Sequence, residues 1–418
     1  MSLCTTIASL PHELVQEICR LSIAPNLGHW PFGGNVAQWE SNETIACLRL
    51  VCRAWSDPAL RACLDSVSLF NQPSTEKFLA LIQAEPRRPS LISHLALGVS
   101  EETYSNSEHE EYERILTESH DMIQVIALAS RSLTHLHPHP MHFGARDRLL
   151  SAIRQCRVLH TLVISPRFLS YEGTSWGKDA FSSTDVVEFA LPPLLHRLEL
   201  DFASSWSAPF PALVPDAHPN TIRSLWLNCD CEESALWQVL SRSESLELLQ
   251  LYFERLLPIE GTTRALMTLT STIKRLHYMS NPTLASLVDF DPAATPIFDL
   301  LLPHYRQLSH LSVTATELSP HAVFRLLPRS LVHLEVTSLN DAPGRRFLDD
   351  DGDDATLVRD LDDDRVEITL RELVLHDDAT AYDAALVARV RDKCRDFERG
   401  QIDWRRRGPS TTECWNAA

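Results

Sequence analysis

Across most of the chain the apolar residues fall into a six-residue pattern, L-x-x-L-x-L. Copies begin at Ile92 (ISHLAL), Leu133 (LTHLHP, degenerate), Leu159 (LHTLVI), Leu195 (LHRLEL) and Ile222 (IRSLWL). Others follow at Leu246 (LELLQL), Ile273 (IKRLHY), Leu308 (LSHLSV), Leu331 (LVHLEV) and Leu370 (LRELVL). The starts are separated by 41, 26, 36, 27, 24, 27, 35, 23 and 39 residues. Alternation within each copy predicts a short strand with its spaced leucines turned inward. Helix-like runs such as STEKFLALIQAE, SALWQVLSRS and SPHAVFRLLPRS lie in the intervals. One such unit cannot bury its apolar side alone, but stacked copies can.

The shorter intervals match the spacing of leucine-rich repeats, and the longer ones are expected to carry insertions. Those repeats place Asn or Cys three residues after the last apolar position. After seven of the ten copies these positions read Arg167, Ala203, Asp230, Glu254, Thr316, Leu339 and Asp378. An irregular solenoid, or horseshoe, is therefore expected.

Before residue 66 the period changes to that of helices. LPHELVQEICRLSI places Pro11 and Glu13 in a first turn, where a missing N–H costs nothing and a carboxylate suits the dipole. Leu14, Ile18 and Leu21 then share a face, flanked by Val15. Residues 24–43 carry Gly and Pro without periodicity and read as an inserted loop. In LRLVCRAWSDPALRACL, Leu48, Val51, Cys52 and Trp55 fall at i, i+3, i+4 and i+7, an apolar stripe. A third helix is expected to start at Pro58. Residues 347–364 hold nine Asp and read as a solvated excursion. The final forty residues suggest a helix (DAALVARVRDKCRDFE), a basic WRRRG and a tail.

Composition narrows the function classes. With 418 residues, 44% of them hydrophobic and 22% charged, the chain can bury a sizeable core. A net charge of −18 argues against a nucleic-acid or anionic-membrane binder. Gly at 12 against Pro at 25 disfavours a glycine-rich nucleotide site. No secretory signal and no membrane span are visible. The ten cysteines follow no disulfide framework, so a reducing cytoplasmic or nuclear location is expected, where the sequon at Asn42 is idle.

Candidate chemistry is sparse. GTSWG, residues 173–177, fits G-x-S-x-G, which needs its Ser between a strand and a helix, but the strand candidate ends near Ile164. Catalysis by Ser175, as in a serine hydrolase, is the less favoured alternative. His135, His137 and His139 share a face if extended, with His142 close by, but two prolines and no Cys pair favour a polar strand edge over a metal site. Cys229 and Cys231 read as packing, and the aspartate block lacks the calcium-loop pattern. No metal or other cofactor is expected.

The N-terminal residues Leu10, Pro11, Glu13, Leu14 and Ile18, followed by Leu48, Val51, Arg53 and Trp55, resemble the F-box motif. That motif runs Leu-Pro-x-Glu-Leu/Ile, then Leu-x-x-Val-x-Arg-x-Trp. With leucine-rich repeats behind it, the chain resembles substrate receptors of SCF ubiquitin ligases, most of all the large F-box families of mushroom-forming fungi. The resemblance implies a helical F-box (1–66, loop 24–43), an α/β repeat solenoid (67–378) and a C-terminal helix and tail (379–418). It implies that the F-box binds a Skp-family adaptor, and through it a cullin, while the repeats hold a protein substrate. No catalysis by the chain itself and no nucleic-acid or membrane partner follow. The adaptor-facing residues are expected to be Leu10, Pro11, Leu14, Val15, Ile18, Leu48, Val51, Cys52, Arg53 and Trp55. So short a helical piece cannot bury all its apolar side chains internally, which makes Leu14, Ile18, Val51 and Trp55 candidate anchors. Trp226, His277 and Glu335 alternate with inward leucines and are candidate substrate-facing positions. A scaffold working outside any ligase is the first alternative.

Overall fold

The computed structural model describes residues 10–23, 53–69, 72–97, 108–138, 146–164, 192–201, 221–228, 233–253 and 259–280. Beyond these it describes 296–314, 317–318, 323–337, 369–376, 392–393 and 399–402. The chain divides into two compact units, Met1–Leu162 with Arg406–Ala418, and Val163–Arg405. Each is α/β, and every strand pairing within each is parallel, between neighbours in chain order.

The first unit opens with helices α1 (His12–Ile23) and α2 (Arg53–Asp65). β1 (Ser66–Leu69) follows α2 directly. Then come α3 (Gln72–Gln83), β2 (His94–Leu97), α4 (Glu108–Ala129), β3 (His135–Pro138), α5 (Arg146–Gln155) and β4 (Thr161–Ile164). The interval of 41 residues, expected to carry an insertion, holds the 22-residue helix α4.

The second unit contains β5 (Arg197–Asp201), β6 (Ser224–Asn228), α6 (Glu233–Ser241), β7 (Leu248–Phe253), α7 (Ile259–Met267) and β8 (Arg275–Ser280). It continues with α8 (Ile297–Leu301), β9 (His310–Thr314), α9 (Val323–Leu326), β10 (His333–Thr337), β11 (Glu372–His376) and β12 (Arg399–Ile402). Parallel neighbours require a crossover, which the intervening helices supply where the chain is described.

The six-residue pattern and the core coincide. The first position of every copy, from Ile92 to Leu370, is at most 2% exposed. In the second unit the fourth positions form one register row, Leu198, Leu225, Leu249, Leu276, Leu311, Leu334 and Leu373. All are 2% exposed or less. Burying each such side chain is worth about 1.5–3 kcal/mol, so the stacked rows supply the driving force for pairing. Helices close the leucine side: Phe298 of α8 meets Tyr278 of β8 edge-on, with ring centroids 5.3 Å apart.

A backbone ladder fixes the stacking. In successive copies the N–H groups of positions two and three both donate to the position-two carbonyl of the copy before. Thr134 and His135 donate to Ser93 O at 2.8 and 3.0 Å, and Val332 and His333 to Ser309 O at 2.9 and 3.0 Å. Side-chain hydroxyls reinforce it. Thr134 Oγ1 donates to the Ser93 carbonyl and Ser309 Oγ to that of Lys274, both at 3.0 Å. One residue ahead of the motif, Ser132, Thr221, Ser330 and Thr369 donate to the carbonyls of Ile92, Leu195, Leu308 and Leu331 at 2.7–2.8 Å. Among the described residues, cross-repeat side-chain bonds are thus made by Ser and Thr ahead of the strand. The positions after the strand lie outside the described residues.

One expectation is corrected. No third helix starts at Pro58, because α2 runs through it from Arg53 to Asp65. Proline removes one N–H, and packing along the helix outweighs that loss. β1 and β12 are strands that the pattern did not mark. β12 (RGQI) has one apolar residue and pairs through its backbone with β11. Loop 24–43, the acidic run 347–364 and most of the C-terminal helical pattern lie outside the described residues.

Candidate functional site

Two sets of expected site residues are described, one in each unit. In the first unit α1 packs against α2. The Pro11 carbonyl receives the first helical bonds, from the N–H groups of Leu14 (3.0 Å) and Val15 (3.1 Å), and Glu13 sits in the first turn. The chain itself forms a closed cluster here: Val15 (2% exposed), Trp55 (7%), Ala59 and Ala62, with Leu10, Ile18 and Cys63 packed around it. Trp55, Ala59 and Ala62 recur at i, i+4 and i+7, and the two alanines let the helices approach closely. Asp57 and Arg61 pair on the outer side of α2 at 2.9 Å.

This arrangement reverses part of the expected stripe. Among the described side chains of α1, Val15 rather than Leu14 is buried; Leu14 is 50% exposed, and Pro11 ahead of the helix is exposed. Trp55, expected as an anchor for a partner, is covered by its own chain. Leu48, Val51 and Cys52 lie outside the described residues, and Arg53 opens α2.

In the second unit the face opposite the leucines carries the expected substrate positions. Glu199, Trp226, Gln250, His277, Ser312 and Glu335 stand side by side in one register row over β5–β10. Trp226 and Glu335 are partly exposed, but His277 is buried at 6% and Ser312 at 0%. His277, expected to face outward, shares this face but is covered. Burial lowers its pKa from 6.5 to about 4 against an opposing pull from Glu335, so its imidazole is neutral at pH 7. Glu199 is ion-paired with Arg197 two residues earlier on the same strand.

A parallel row one pleat away contains Arg275, His310, His333 and Glu372. His310 and His333 stack with centroids 5.6 Å apart, and His333 Nδ1 lies 3.0 Å from Glu372 Oε2. Burial first, then the charges of Arg275 and His333, bring the His310 pKa down to about 4, with Glu372 opposing. Serine and threonine orient three such rings: Ser93, Thr134 and Ser309 each sit 2.8–2.9 Å from Nδ1 of the following histidine.

The remaining candidates separate. His135 stacks on His94 with centroids 4.2 Å apart, while His139 and His142 lie outside the described residues. Among the described residues no group of three or more His, Cys, Asp or Glu could hold a metal ion. Ser175, Cys229 and Cys231 are outside them too. Cys156 is buried, which pushes its thiol pKa up to about 12. Among the described residues no helix is long and apolar enough to cross a membrane.

No protein-family model matches this chain. No curated protein matches it either. What the chain offers rests on its own two surfaces: the outer side of α1, and the polar row. Sequence reasoning passed over Ser312 because a lone serine between apolar residues carries no motif. Its signal was its place in the same column as Trp226, His277 and Glu335.

Proposed function

We propose that the chain is the substrate-recognition subunit of an SCF-type ubiquitin ligase, with α1 and α2 facing a Skp-family adaptor and the repeat sheets holding a protein client. The observation that carries this reading is the exposure of Leu14 beside a closed helix core. Val15, Trp55, Ala59 and Ala62 already satisfy the pair, yet Leu14 of α1 and Pro11 just before it face outward. In this role the chain contributes proximity and orientation, and the bond-making groups belong to its partners. The Leu-Pro-x-Glu-Leu order at its start and the stacked repeats behind it support the same reading.

Co-expression of the full chain with a Skp-family adaptor tests it. A co-purifying complex, weakened by Leu14→Glu, is the expected result. A folded wild-type chain that never co-purifies would overturn the proposal. Adaptor binding without cullin-dependent ubiquitination would favour the scaffold instead.

A further inference from the structure

In the second unit basic side chains gather where the chain enters β8–β11. The position-two residues there are Lys274, Ser309, Val332 and Arg371, linked in that order by backbone hydrogen bonds of 2.8–2.9 Å. Arg275 follows Lys274 on the face opposite the leucines, in the row of His310 and His333. Arg306 and Arg329 stand three residues ahead of Ser309 and Val332. The Arg306 N–H donates to the Thr270 carbonyl at 3.1 Å, which holds it against the copy before. Lys274, Arg306, Arg329 and Arg371 are exposed, and Arg275 is half-buried.

This rim is not neutralised by the carboxylates beside it. Glu247 meets Lys274 at 3.0 Å in a pair exposed at both ends, and Glu372 lies 3.0 Å from His333 Nδ1. Arg329 and Arg371 have contacts of their own and add charge. The guanidinium groups of Arg275 and Arg306 make no hydrogen bond and no ion pair among the described residues.

Charge and spacing together select an occupant. The chain carries a net charge of −18, so a basic rim runs against its overall field. Charges beyond about 8 Å are screened at physiological salt, and the nearby side chains decide what docks. Adjacent strands lie ~4.8 Å apart, so Lys274 and Arg371 stand ~14 Å apart across the rim. An extended peptide rises about 3.3 Å per residue and turns alternate side chains to one side, so five residues bring three carboxylates over that span. A longer polyanion such as nucleic acid extends past the rim, into a chain with 56 acidic against 38 basic residues.

We propose that the rim leading into β8–β11 docks an extended acidic segment of the client, its Asp or Glu carboxylates accepting hydrogen bonds from Arg275 and Arg306. Lys274, Arg329 and Arg371 supply the surrounding positive charge. This rests on reading the repeat sheets as the part that holds the client.

The probe is a short dye-labelled peptide of alternating aspartate and glycine, titrated against the full chain by fluorescence anisotropy. The same peptide with asparagine for aspartate, and a single-stranded thymidine oligonucleotide, serve for comparison. Aspartate binding is expected to exceed asparagine binding about tenfold or more. One exposed ion pair is worth up to about fivefold, so Arg306→Gln lowers affinity a few-fold and the double variant with Arg275→Gln about tenfold. Circular dichroism checks the folding of both. Arg264→Gln, an equal charge change on α7, leaves binding within about twofold. Equal losses in Arg306→Gln and Arg264→Gln would reduce the effect to net charge and overturn the rim. Equal binding of the asparagine peptide, or tighter binding of the oligonucleotide, would overturn it too. Replacing the aspartates of the chain's own run 347–364 by asparagine is expected to leave affinity unchanged. A large gain would make that run the occupant and overturn the client segment. Adaptor co-purification is scored separately. Intact adaptor binding with no aspartate dependence removes the docking rim alone, and aspartate dependence without adaptor binding removes the ligase reading alone.

Discussion

Truncating Trp55 distinguishes a side chain that holds its own chain together from one that holds a partner. Trp55 is 7% exposed and packed with Val15, Ala59 and Ala62. A tryptophan so placed buries about 150–250 Å², and at ~25 cal/mol per Å² its removal is worth about 4–6 kcal/mol. Measured Trp→Ala substitutions in cores fall at about 3–5 kcal/mol. That loss in one helix pair corresponds to amide protection in α1 and α2 falling by about two to four orders of magnitude. Leu14→Ala is the matched control, because Leu14 is 50% exposed and leucine and alanine differ little in helix propensity. It should change protection by no more than about 0.5 kcal/mol while weakening the adaptor complex. Hydrogen exchange read by mass spectrometry resolves both, with β6–β9 peptides as an internal reference. Were Trp55→Ala to leave α1 and α2 protected while abolishing adaptor binding, the closed cluster would be wrong and Trp55 would be a docking residue.

Acid and hydroxyl substitutions test the second unit. Below pH 6.5 an unfolded chain takes up a proton that native His277 refuses until about pH 4. Stability should therefore fall as pH drops from 6.5 to about 4, with His310 acting in the same direction. Thermal melts across this window should slope less steeply for His277→Gln, and parallel slopes would refute the lowered pKa. Thr221→Val and Thr369→Val each remove a cross-repeat bond of 2.7–2.8 Å with little change of shape. Each should cost about 0.5–1.5 kcal/mol in a urea titration, and the pair should add, because the sites share no partner. A neutral double variant would mean that the backbone ladder alone sets the spacing.

Much of this architecture was legible because one side of each strand obeys a strict rule. The copies from Ile92 to Leu370 fall where the L-x-x-L-x-L pattern puts them, and their first and fourth residues are buried without exception. β12 was not legible, since its pairing depends on β11 beside it rather than on its own side chains. α4 went unmarked because a long interval in a repeat array looks the same whether it holds a loop or a helix. In the N-terminal helices, Leu14 and Val15 are adjacent and both apolar, so periodicity alone could not say which faces in. The partner helix decided it: the small surfaces of Ala59 and Ala62 admit Val15 and leave Leu14 outside. The hydroxyl ladder precedes each strand, whereas the repeat pattern places its bonding residue after it, so the pattern does not point to it.

The placement of Ser312 bears on more than one site. In a parallel repeat array, alternation divides labour. The leucine side sets stability, and the opposite side can vary without disturbing it. If that opposite side only had to be tolerated, its centre would be solvated or filled with small apolar groups that cost nothing to cover. Instead β8–β10 place there a covered imidazole, a covered hydroxyl with no partner and a partly exposed carboxylate. Each carries a desolvation cost that stacking does not require. On the proposed reading of the repeat sheets as the part that holds a client, such a cost belongs to recognition rather than to the fold.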